Sequence, residues 1–291
     1  MTLPKSDALH NAIAPRLKEL SPMLKKAADY IMSNPDKIAM QSLRQVAAES
    51  KLAPATFSRL VHSLKLENYE SLRELCRNEV RLRNPSYAEK VEILQQLPGR
   101  QQGLLLQAHA VASIKNIEDI LKSVDDQRLS AIADILTRAR TVYLVGSLSS
   151  GALMDYIGFE AQMALDNWRV IMRNHNSMAM SLPDISKKDA ILILCQYPYC
   201  RRTVEAARAG ANRQAKVVVI TDAFSAPITE FASQILLAPT DSPHFFSSRV
   251  ATIFLLETLI NMVVQRTGKK AQRRIAEVED EHNRLGEYWQ E

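Results

Sequence analysis

The spacing of apolar residues changes near residue 140. Before that point they recur every three or four positions, as at Leu17, Leu20 and Leu24, which is the period of an amphipathic α-helix. After Thr141 they gather in short runs rich in Val, Ile and Leu, which are typical of buried strands. The pattern predicts an all-α N-terminal domain followed by an α/β domain.

Residues 42–64 of the helical half read SLRQVAAESKLAPATFSRLVHSL and predict two short helices around a tight connection. Phe57, Leu60 and Leu64 share one face of the second helix because they lie at positions i, i+3 and i+7. Pro54 suits the first helical position, where its missing N–H costs no hydrogen bond. The other face is small, polar or basic, so this helix can enter a major groove. The segment therefore predicts a helix-turn-helix that binds DNA.

Five apolar runs in the second half predict strands that alternate with helices. This alternation is typical of a parallel sheet covered on both faces, so we predict a doubly wound, five-stranded parallel sheet. Ligands of such sheets bind beyond the carboxyl ends of the strands, here from Gly146, Cys195 and Thr221 onward. The predicted strands are 141–145, 169–172, 190–194, 216–220 and 234–237, and the predicted helices are roughly 151–166, 201–213, 223–232 and 247–267.

Breaks in the helical pattern divide the chain into parts. Asn84-Pro85 ends a charged helix, Pro98-Gly99 interrupts the next stretch, and Gly268 separates the long apolar helix from a charged one. The predicted parts are a helix-turn-helix domain over 1–84, a helical linker over 85–127, the α/β domain over 128–267 and a C-terminal helix over 268–291.

The excess positive charge lies in the part that holds the predicted helix-turn-helix. The chain carries 37 Lys and Arg against 32 Asp and Glu, a net charge of +5. Residues 1–84 contain 14 basic and 9 acidic side chains, and residues 85–291 contain 23 of each. Local basic charge drives phosphate binding through counterion release, so this asymmetry supports DNA binding. The alternative is an ordinary helical pair with an ordinary surface charge.

Composition excludes several other classes of protein. No stretch approaches the roughly 18 uninterrupted apolar residues of a membrane span, and the N-terminus has no apolar core of a secretory signal. Cys76, Cys195 and Cys200 do not have the spacing of a disulfide framework or a zinc site. We therefore expect a cytoplasmic protein that has no metal or cofactor and does not contact a membrane.

Two segments resemble a known family. The sequence PDKIAMQSLRQVAAESKLAPATFSRLVHSLKLENYESLREL is similar to the helix-turn-helix of RpiR (MurR/RpiR) transcriptional regulators. The runs VYLVGSLSSG, AILILCQY, TVEAARAG, KVVVITD and SPHFFSSRVATIFLLETL resemble the SIS (sugar isomerase) domain that these regulators carry. The resemblance covers about residues 5–265. It implies a DNA-binding regulator whose SIS domain, predicted over 128–267, dimerises and senses a phosphorylated sugar or a related metabolite.

The first phosphate loop of the SIS family departs from its pattern in this chain. The family has G-x-G-x-S after the first strand. Ser150 falls on the family's serine, but Leu148 replaces the second glycine. The substitution weakens the expectation that a phosphosugar binds here.

The third strand of the SIS family leads into S-x-S-G-x-T, and this loop also differs. The hydroxyls are lost, and a proline, which has no N–H to offer, replaces the glycine. Arg201 and Arg202 follow and could hold an anion through bidentate contacts, or they could form a solvated face of the next helix. The positions that match the family's pattern are Cys195, Tyr197, Pro198 and Cys200.

Polar and basic residues of the predicted helix-turn-helix are the candidate DNA contacts. Arg59 and His62 are best placed to reach base edges. Lys51 and Lys65 flank the motif and are expected to meet the phosphate backbone. Each could instead be an ordinary surface side chain. The predicted DNA-binding set is Arg44, Lys51, Thr56, Ser58, Arg59, His62 and Lys65.

Polar residues at the ends of the predicted strands are the candidate effector contacts. The serines after the first strand precede a helix, where they could bind an anion or cap the helix. Thr221 and Asp222 border the same crevice or cap a helix, and His244 lines the site or starts the long helix. The predicted effector-binding set is Ser147, Ser149, Ser150, Arg201, Arg202, Thr221 and His244, with no catalytic residue.

These observations predict a transcriptional regulator, a repressor of carbohydrate or related metabolic genes. A homodimer or homotetramer would place its recognition helices on half-sites of double-stranded operator DNA. A sugar-phosphate-like effector would then shift the DNA affinity. One alternative is a SIS-type isomerase, for which Glu160, Glu205 and His244 are available as general bases. The other alternative is a DNA-binding dimer without a ligand.

Overall fold

A computed structural model describes residues 8–83, 86–96, 104–171 and 178–289 of the 291-residue chain. The chain divides into two compact units, Met1–Leu97 and Pro98–Glu291. The breaks that we predicted at Asn84-Pro85 and Pro98-Gly99 lie outside the described residues.

The described part of the first unit is helical. Its core contains Ile31, Val46, Phe57, Leu60 and Leu72, all fully buried. The helices are α1 (Ala8–Ile13), a 3₁₀ helix (Ala14–Glu19), α2 (Pro22–Ser33), α3 (Pro35–Met40), α4 (Leu43–Ser50), α5 (Pro54–Ser63), α6 (Tyr69–Arg83) and α7 (Tyr87–Gln95).

Local signals set the bounds of α4 and α5, the two helices of the predicted motif. Ser42 caps α4 through a capping box: its hydroxyl accepts the Gln45 N–H at 3.4 Å, and its own N–H donates to Gln45 Oε1 at 2.9 Å. The chain turns at Lys51, whose φ of 56° lies in the left-handed region. Pro54 is the first residue of α5, as its position in the sequence predicted.

The second unit contains a five-stranded parallel sheet of order β2-β1-β3-β4-β5. Its strands are β1 (Val142–Gly146), β2 (Trp168–Ile171), β3 (Ala190–Leu194), β4 (Lys216–Thr221) and β5 (Gln234–Leu237). Its helices are α8 (Leu105–Ser123), α9 (Asp126–Arg138), α10 (Ser149–Ala164), α11 (Met178–Ser181), α12 (Arg201–Asn212), α13 (Val250–Thr267) and α14 (Lys269–Leu285).

Both faces of the sheet are covered. Along β1, Val142 and Leu144 belong to a core with α8, α9, α10, α13 and α14, while Tyr143 and Val145 belong to a second core with α12. This alternation follows from the two-residue period of a strand. The arrangement confirms the predicted fold class, an all-α N-terminal region followed by a doubly wound α/β domain.

One segment differs from the helix that we predicted. The helix expected over 223–232 is a short 3₁₀ helix at Pro227–Phe231. The segment 85–127, predicted as a helical linker, contains α7 in the first unit and α8 in the second. Ile120 of α8 lies in the core of the α/β unit, and Asn116 donates to the carbonyl of Asp241 at 2.8 Å.

One described helix, α13, is long and apolar enough to cross a membrane by length and composition alone. Leu255, Leu256 and Leu259 of this helix are buried in the core beside α9 and α10. A buried core helix passes the same test of length and composition as a membrane span, so α13 is explained by its packing in this unit.

Candidate functional site

The crevice expected from the sequence is the region beyond the carboxyl ends of β1, β3 and β4, where ligands of parallel sheets bind. The register pairs Gly146 with Leu194 and Leu194 with Ile220, so the residues after these three strands meet at one edge of the sheet. A Cβ atom at Gly146 would lie 2.5 Å from the backbone oxygen of Ser150. Glycine is therefore required at this position for the loop to turn directly into α10.

The loop after β1 is a tight turn over Ser147–Ser150. The N–H of Ser150 donates to the carbonyl of Ser147 at 3.1 Å. Leu148 has φ 56° and ψ −130°, the first central position of a type II′ turn, which favours glycine. Leu148 thus has a conformation that favours glycine at the position where the family's pattern has its second glycine. Leu148 caps α10 without a side-chain hydrogen bond.

One corner of the crevice is formed by hydroxyl and thiol groups. The Thr203 hydroxyl donates to the hydroxyl of Ser147 at 2.9 Å. Cys200, which caps α12, contacts both of these side chains. Ser147 therefore contacts the first turn of α12 across the ends of β1 and β3.

A second corner is built around Gln196 and Arg249. Gln196 is 3% exposed and donates at 2.9 Å to both the Ala238 carbonyl and the Thr252 hydroxyl. Arg249, the residue that caps α13, donates to the side-chain oxygen of Gln196 and, at 3.3 Å, to the hydroxyl of Ser149. A guanidinium group thus lies beside the serine loop after β1.

Asp222, directly after β4, borders the same crevice. Its carboxylate accepts the backbone N–H of Tyr197 at 3.2 and 3.3 Å and a hydroxyl hydrogen bond from Thr221 at 3.4 Å. Burial raises the pKa of Asp222 above its usual value, although these hydrogen bonds act in the opposite direction. Its partners hold the loop after β3 against the end of β4.

The SIS domain family matches residues 135–262, a range that contains all five strands and most of α13. The C-terminal unit therefore contains a SIS domain. This finding confirms the sequence interpretation of the second half, despite the altered loops.

Comparisons with individual proteins agree with this assignment. The chain is 21% identical to an HTH-type transcriptional regulator of Haemophilus influenzae, over 90% of this chain and 91% of that protein. It resembles Vibrio vulnificus NanR complexed with ManNAc-6P, with a TM-score of 0.59, 18% identity and coverage of 96% and 98%. It also resembles the sugar isomerase domain of a Sphaerobacter thermophilus RpiR transcription factor, with a TM-score of 0.58, 21% identity and coverage of 61% and 99%. These likenesses confirm the predicted resemblance to RpiR-type regulators.

The predicted effector residues occupy different places in the SIS domain. Ser147 and Ser149 lie at the two corners of the crevice, and Ser150 is buried under the turn. Arg201 and Arg202 are exposed in the first turn of α12. Thr221 is fully buried. His244 is exposed on the loop before α13, where its ring lies beside the rings of Phe245 and of His109 on α8.

Sequence reasoning missed three polar residues of the crevice. The side chain that reaches the serine loop from the start of α13 belongs to Arg249. The available signal in the sequence was the positive charge of Arg249 at the start of a helix, which is unfavourable beside the positive end of the helix dipole. The residues missed are Gln196, Thr203 and Arg249.

The predicted DNA contacts lie on the surface of the helix-turn-helix. Arg59 and His62 of α5 are exposed on the face opposite to buried Phe57 and Leu60. Lys51 directly follows α4 and Lys65 lies two residues beyond α5, both in left-handed conformations with φ of 56° and 57°. The remaining predicted contacts are exposed Arg44 and Ser58 and partly buried Thr56.

Two of the three candidate bases for an isomerase, Glu160 and Glu205, have partners outside the crevice corners. Glu160 accepts a hydrogen bond from the Tyr156 hydroxyl on α10 at 2.5 Å. Glu205 pairs with Arg208 on α12 at 3.6 Å. Both carboxylates are thus engaged by neighbours on their own helices.

Proposed function

We propose that this chain is a DNA-binding transcriptional regulator whose SIS domain binds a phosphosugar-like effector. The observation that carries the proposal is the combination, in one chain, of an exposed basic recognition helix with a SIS crevice lined by hydroxyl groups and a guanidinium. The similarity to an HTH-type regulator over nine-tenths of the chain supports it. The regulator acts in the cytoplasm as a repressor of carbohydrate or related metabolic genes.

The DNA-binding surface is the outer face of α5. Phe57, Leu60 and Val61 fix the helix in the core, so the opposite face projects from the first unit. Arg59 can donate two hydrogen bonds to a guanine edge in the major groove. Lys51 and Lys65 would contact phosphates on either side. A homodimer or homotetramer would present two such helices to the half-sites of an operator.

The effector site is the crevice at the ends of β1, β3 and β4. Ser147 and Ser149 provide hydroxyl groups, and Arg249 provides a charged donor beside them. Guanidinium binds phosphate or carboxylate oxygens through paired hydrogen bonds, so it can replace donors lost from the altered loop after β3. Arg201 and Arg202 add positive charge at the start of α12. The ManNAc-6P complex of NanR makes that compound the first probe to use.

The proposal assigns no catalytic reaction to the SIS domain. Isomerisation requires a general base beside the substrate carbon. The partners of Glu160 and Glu205 described above favour a binding role for this unit. Turnover of aldose or ketose phosphates by the purified chain would instead support the isomerase alternative.

Selection of genomic DNA fragments by the purified chain tests the proposal. We expect enrichment of a few promoters that share an inverted repeat. Arg59→Ala should weaken binding to the selected operator by about 1–3 kcal/mol because it removes a base contact. Arg213→Ala removes an exposed arginine of the SIS domain and is the matched control. Unchanged affinity of the Arg59 variant would remove this residue from the interface, and absence of enrichment above a salt-sensitive background would contradict specific regulation.

A further inference from the structure

Arg249 differs from Arg140, another arginine of the second unit, in what holds it. Arg140 donates to the two carboxylate oxygens of Asp189 at 2.7 and 2.9 Å, so a negative charge compensates its guanidinium. Arg249 donates instead to the amide oxygen of Gln196 and, at 3.3 Å, to the hydroxyl of Ser149. Neither of these oxygens carries a charge, so the two bonds fix the guanidinium without neutralising it.

The orientation of the Gln196 amide is determined by its surroundings. Its NH₂ group donates to the Ala238 carbonyl and to the Thr252 hydroxyl, each at 2.9 Å. A carbonyl oxygen can only accept, so the amide nitrogen faces Ala238 and the amide oxygen faces Arg249. Because Gln196 is 3% exposed, bulk water does not readily replace a partner that is lost.

A chain of three hydrogen bonds thus links the core of the second unit to the serine loop after β1. It begins at the hydroxyl of Thr252, which is fully buried in the first turn of α13 and accepts from Gln196. It continues from Arg249 to Gln196 and ends where Arg249 donates to Ser149. The position of the guanidinium beside the loop therefore depends on a buried hydroxyl three residues further along the chain.

We propose that Gln196 and Thr252 are positioning residues that make the crevice selective for an anionic group of the effector. Thr252 orients Gln196, and Gln196 holds the guanidinium of Arg249 beside the serine loop with its positive charge retained. A phosphate or carboxylate group then meets a fixed, charged donor, whereas an uncharged sugar hydroxyl gains less from the same contact. The inference rests on the proposed function, because it requires the effector to bind beside Arg249.

Substitution of Thr252 tests the positioning role and leaves Gln196 and Arg249 unchanged. Thr252→Val keeps the branched shape but removes the acceptor, so we expect ManNAc-6P to bind the full chain about threefold to tenfold more weakly in calorimetric titration. Thr252→Ser keeps the acceptor and removes a buried methyl group, so it should lose stability but bind ManNAc-6P like the wild type. A purely structural role would instead make affinity follow stability in both variants.

Thr258→Val is the matched control. It removes a partly buried hydroxyl from the same helix, where that hydroxyl donates to the carbonyl of Phe254 at 2.7 Å. Thr258 lies outside the chain of hydrogen bonds that ends at Ser149, so we expect this variant to bind ManNAc-6P with the affinity of the wild type. Thermal melts confirm that each variant is folded.

Gln196→Glu tests the selectivity for charge. The substitution places a carboxylate of similar shape beside Arg249, so it neutralises the guanidinium rather than only holding it. We expect the preference for ManNAc-6P over unphosphorylated ManNAc to fall by about tenfold or more. An unchanged preference in the folded variant would contradict the selection of an anion by this arrangement.

The outcomes separate this inference from the proposed function. Wild-type affinity for ManNAc-6P in folded Thr252→Val overturns the positioning role, while the proposal of an effector site stands. Equal losses in Thr252→Val and Thr258→Val overturn it as well, because the effect is then not specific to the bond with Gln196. A wild-type chain that binds none of ManNAc-6P, glucose 6-phosphate and inorganic phosphate overturns the effector site and the positioning role together.

Discussion

Leu148 has a backbone conformation that glycine adopts more easily than any other residue. Its φ of 56° and ψ of −130° cost a residue with a Cβ about 1–3 kcal/mol, and its side chain is 81% exposed. Glycine removes this strain but adds about 0.4–1 kcal/mol of entropy to the unfolded state. We therefore expect Leu148→Gly to raise the free energy of unfolding of the SIS domain by about 1 kcal/mol, measured by urea denaturation.

Leu148→Ala is the control for this prediction. It removes the exposed side chain but keeps the Cβ atom, so the strain remains and stability should stay near that of the wild type. Equal effects of alanine and glycine would show that the side chain, rather than the backbone, determines the result.

Asp189 links stability to pH because its buried carboxylate is strongly hydrogen-bonded. It accepts from Arg140 at 2.7 and 2.9 Å and from the Ser186 N–H at 2.8 Å. Burial raises the pKa of Asp189, but these bonds outweigh it and lower the pKa below its usual value. The contribution to stability is therefore present above the unfolded pKa of about 4 and lost as pH falls through the folded value.

Asp189→Asn should flatten the acid dependence of stability. Urea unfolding between about pH 6 and pH 3 measures this: the wild type should lose stability most steeply below about pH 4, and the variant less steeply. Asp184→Asn, a change at an exposed neighbour, is the control. Parallel profiles for the wild type and Asp189→Asn would contradict the linkage.

At the level of elements, the capping box of α4 contributes to the stability of the first unit. Ser42→Ala removes the acceptor of the Gln45 N–H and leaves an unsatisfied donor at the start of the helix. We expect a loss of about 1 kcal/mol in thermal or urea unfolding. Ser63→Ala, which removes an exposed hydroxyl bonded to the carbonyl of Arg59, should change stability much less. A loss of the same size in both variants would argue against a specific role of the cap.

Elements were predictable where one local rule determined them. The strand expected over 190–194 has those bounds, and the one expected over 141–145 is displaced by a single residue, because a run of apolar residues identifies a buried strand. The prediction of a helix over 223–232 was wrong in length and type. Pro227 permits a helical turn, but only a 3₁₀ helix of five residues forms there. The contacts of the crevice were harder to predict from the sequence than the strands and helices. Gln196 and Arg249, for example, are 53 residues apart and meet only because of the fold.

At the scale of the whole molecule, the proposed function requires the two units to be coupled in free energy. If ManNAc-6P changes operator affinity by some factor, operator DNA must change the affinity for ManNAc-6P by the same factor. A coupling of about 1–3 kcal/mol corresponds to roughly 5–150-fold. We expect calorimetric titration of ManNAc-6P, with and without the selected operator, to match the factor from DNA binding with and without ManNAc-6P.

Arg249→Ala tests whether this coupling originates in the crevice. The guanidinium beside Ser149 is the charged donor of the proposed effector site, so its removal should abolish the response of DNA binding to ManNAc-6P. Arg213→Ala, outside the crevice corners, should retain the response. The alternative of a ligand-independent DNA-binding dimer predicts that operator affinity stays constant at every concentration of ManNAc-6P in the wild type as well. A response that is present in the wild type and in Arg249→Ala would keep the regulator but move its effector away from this arginine.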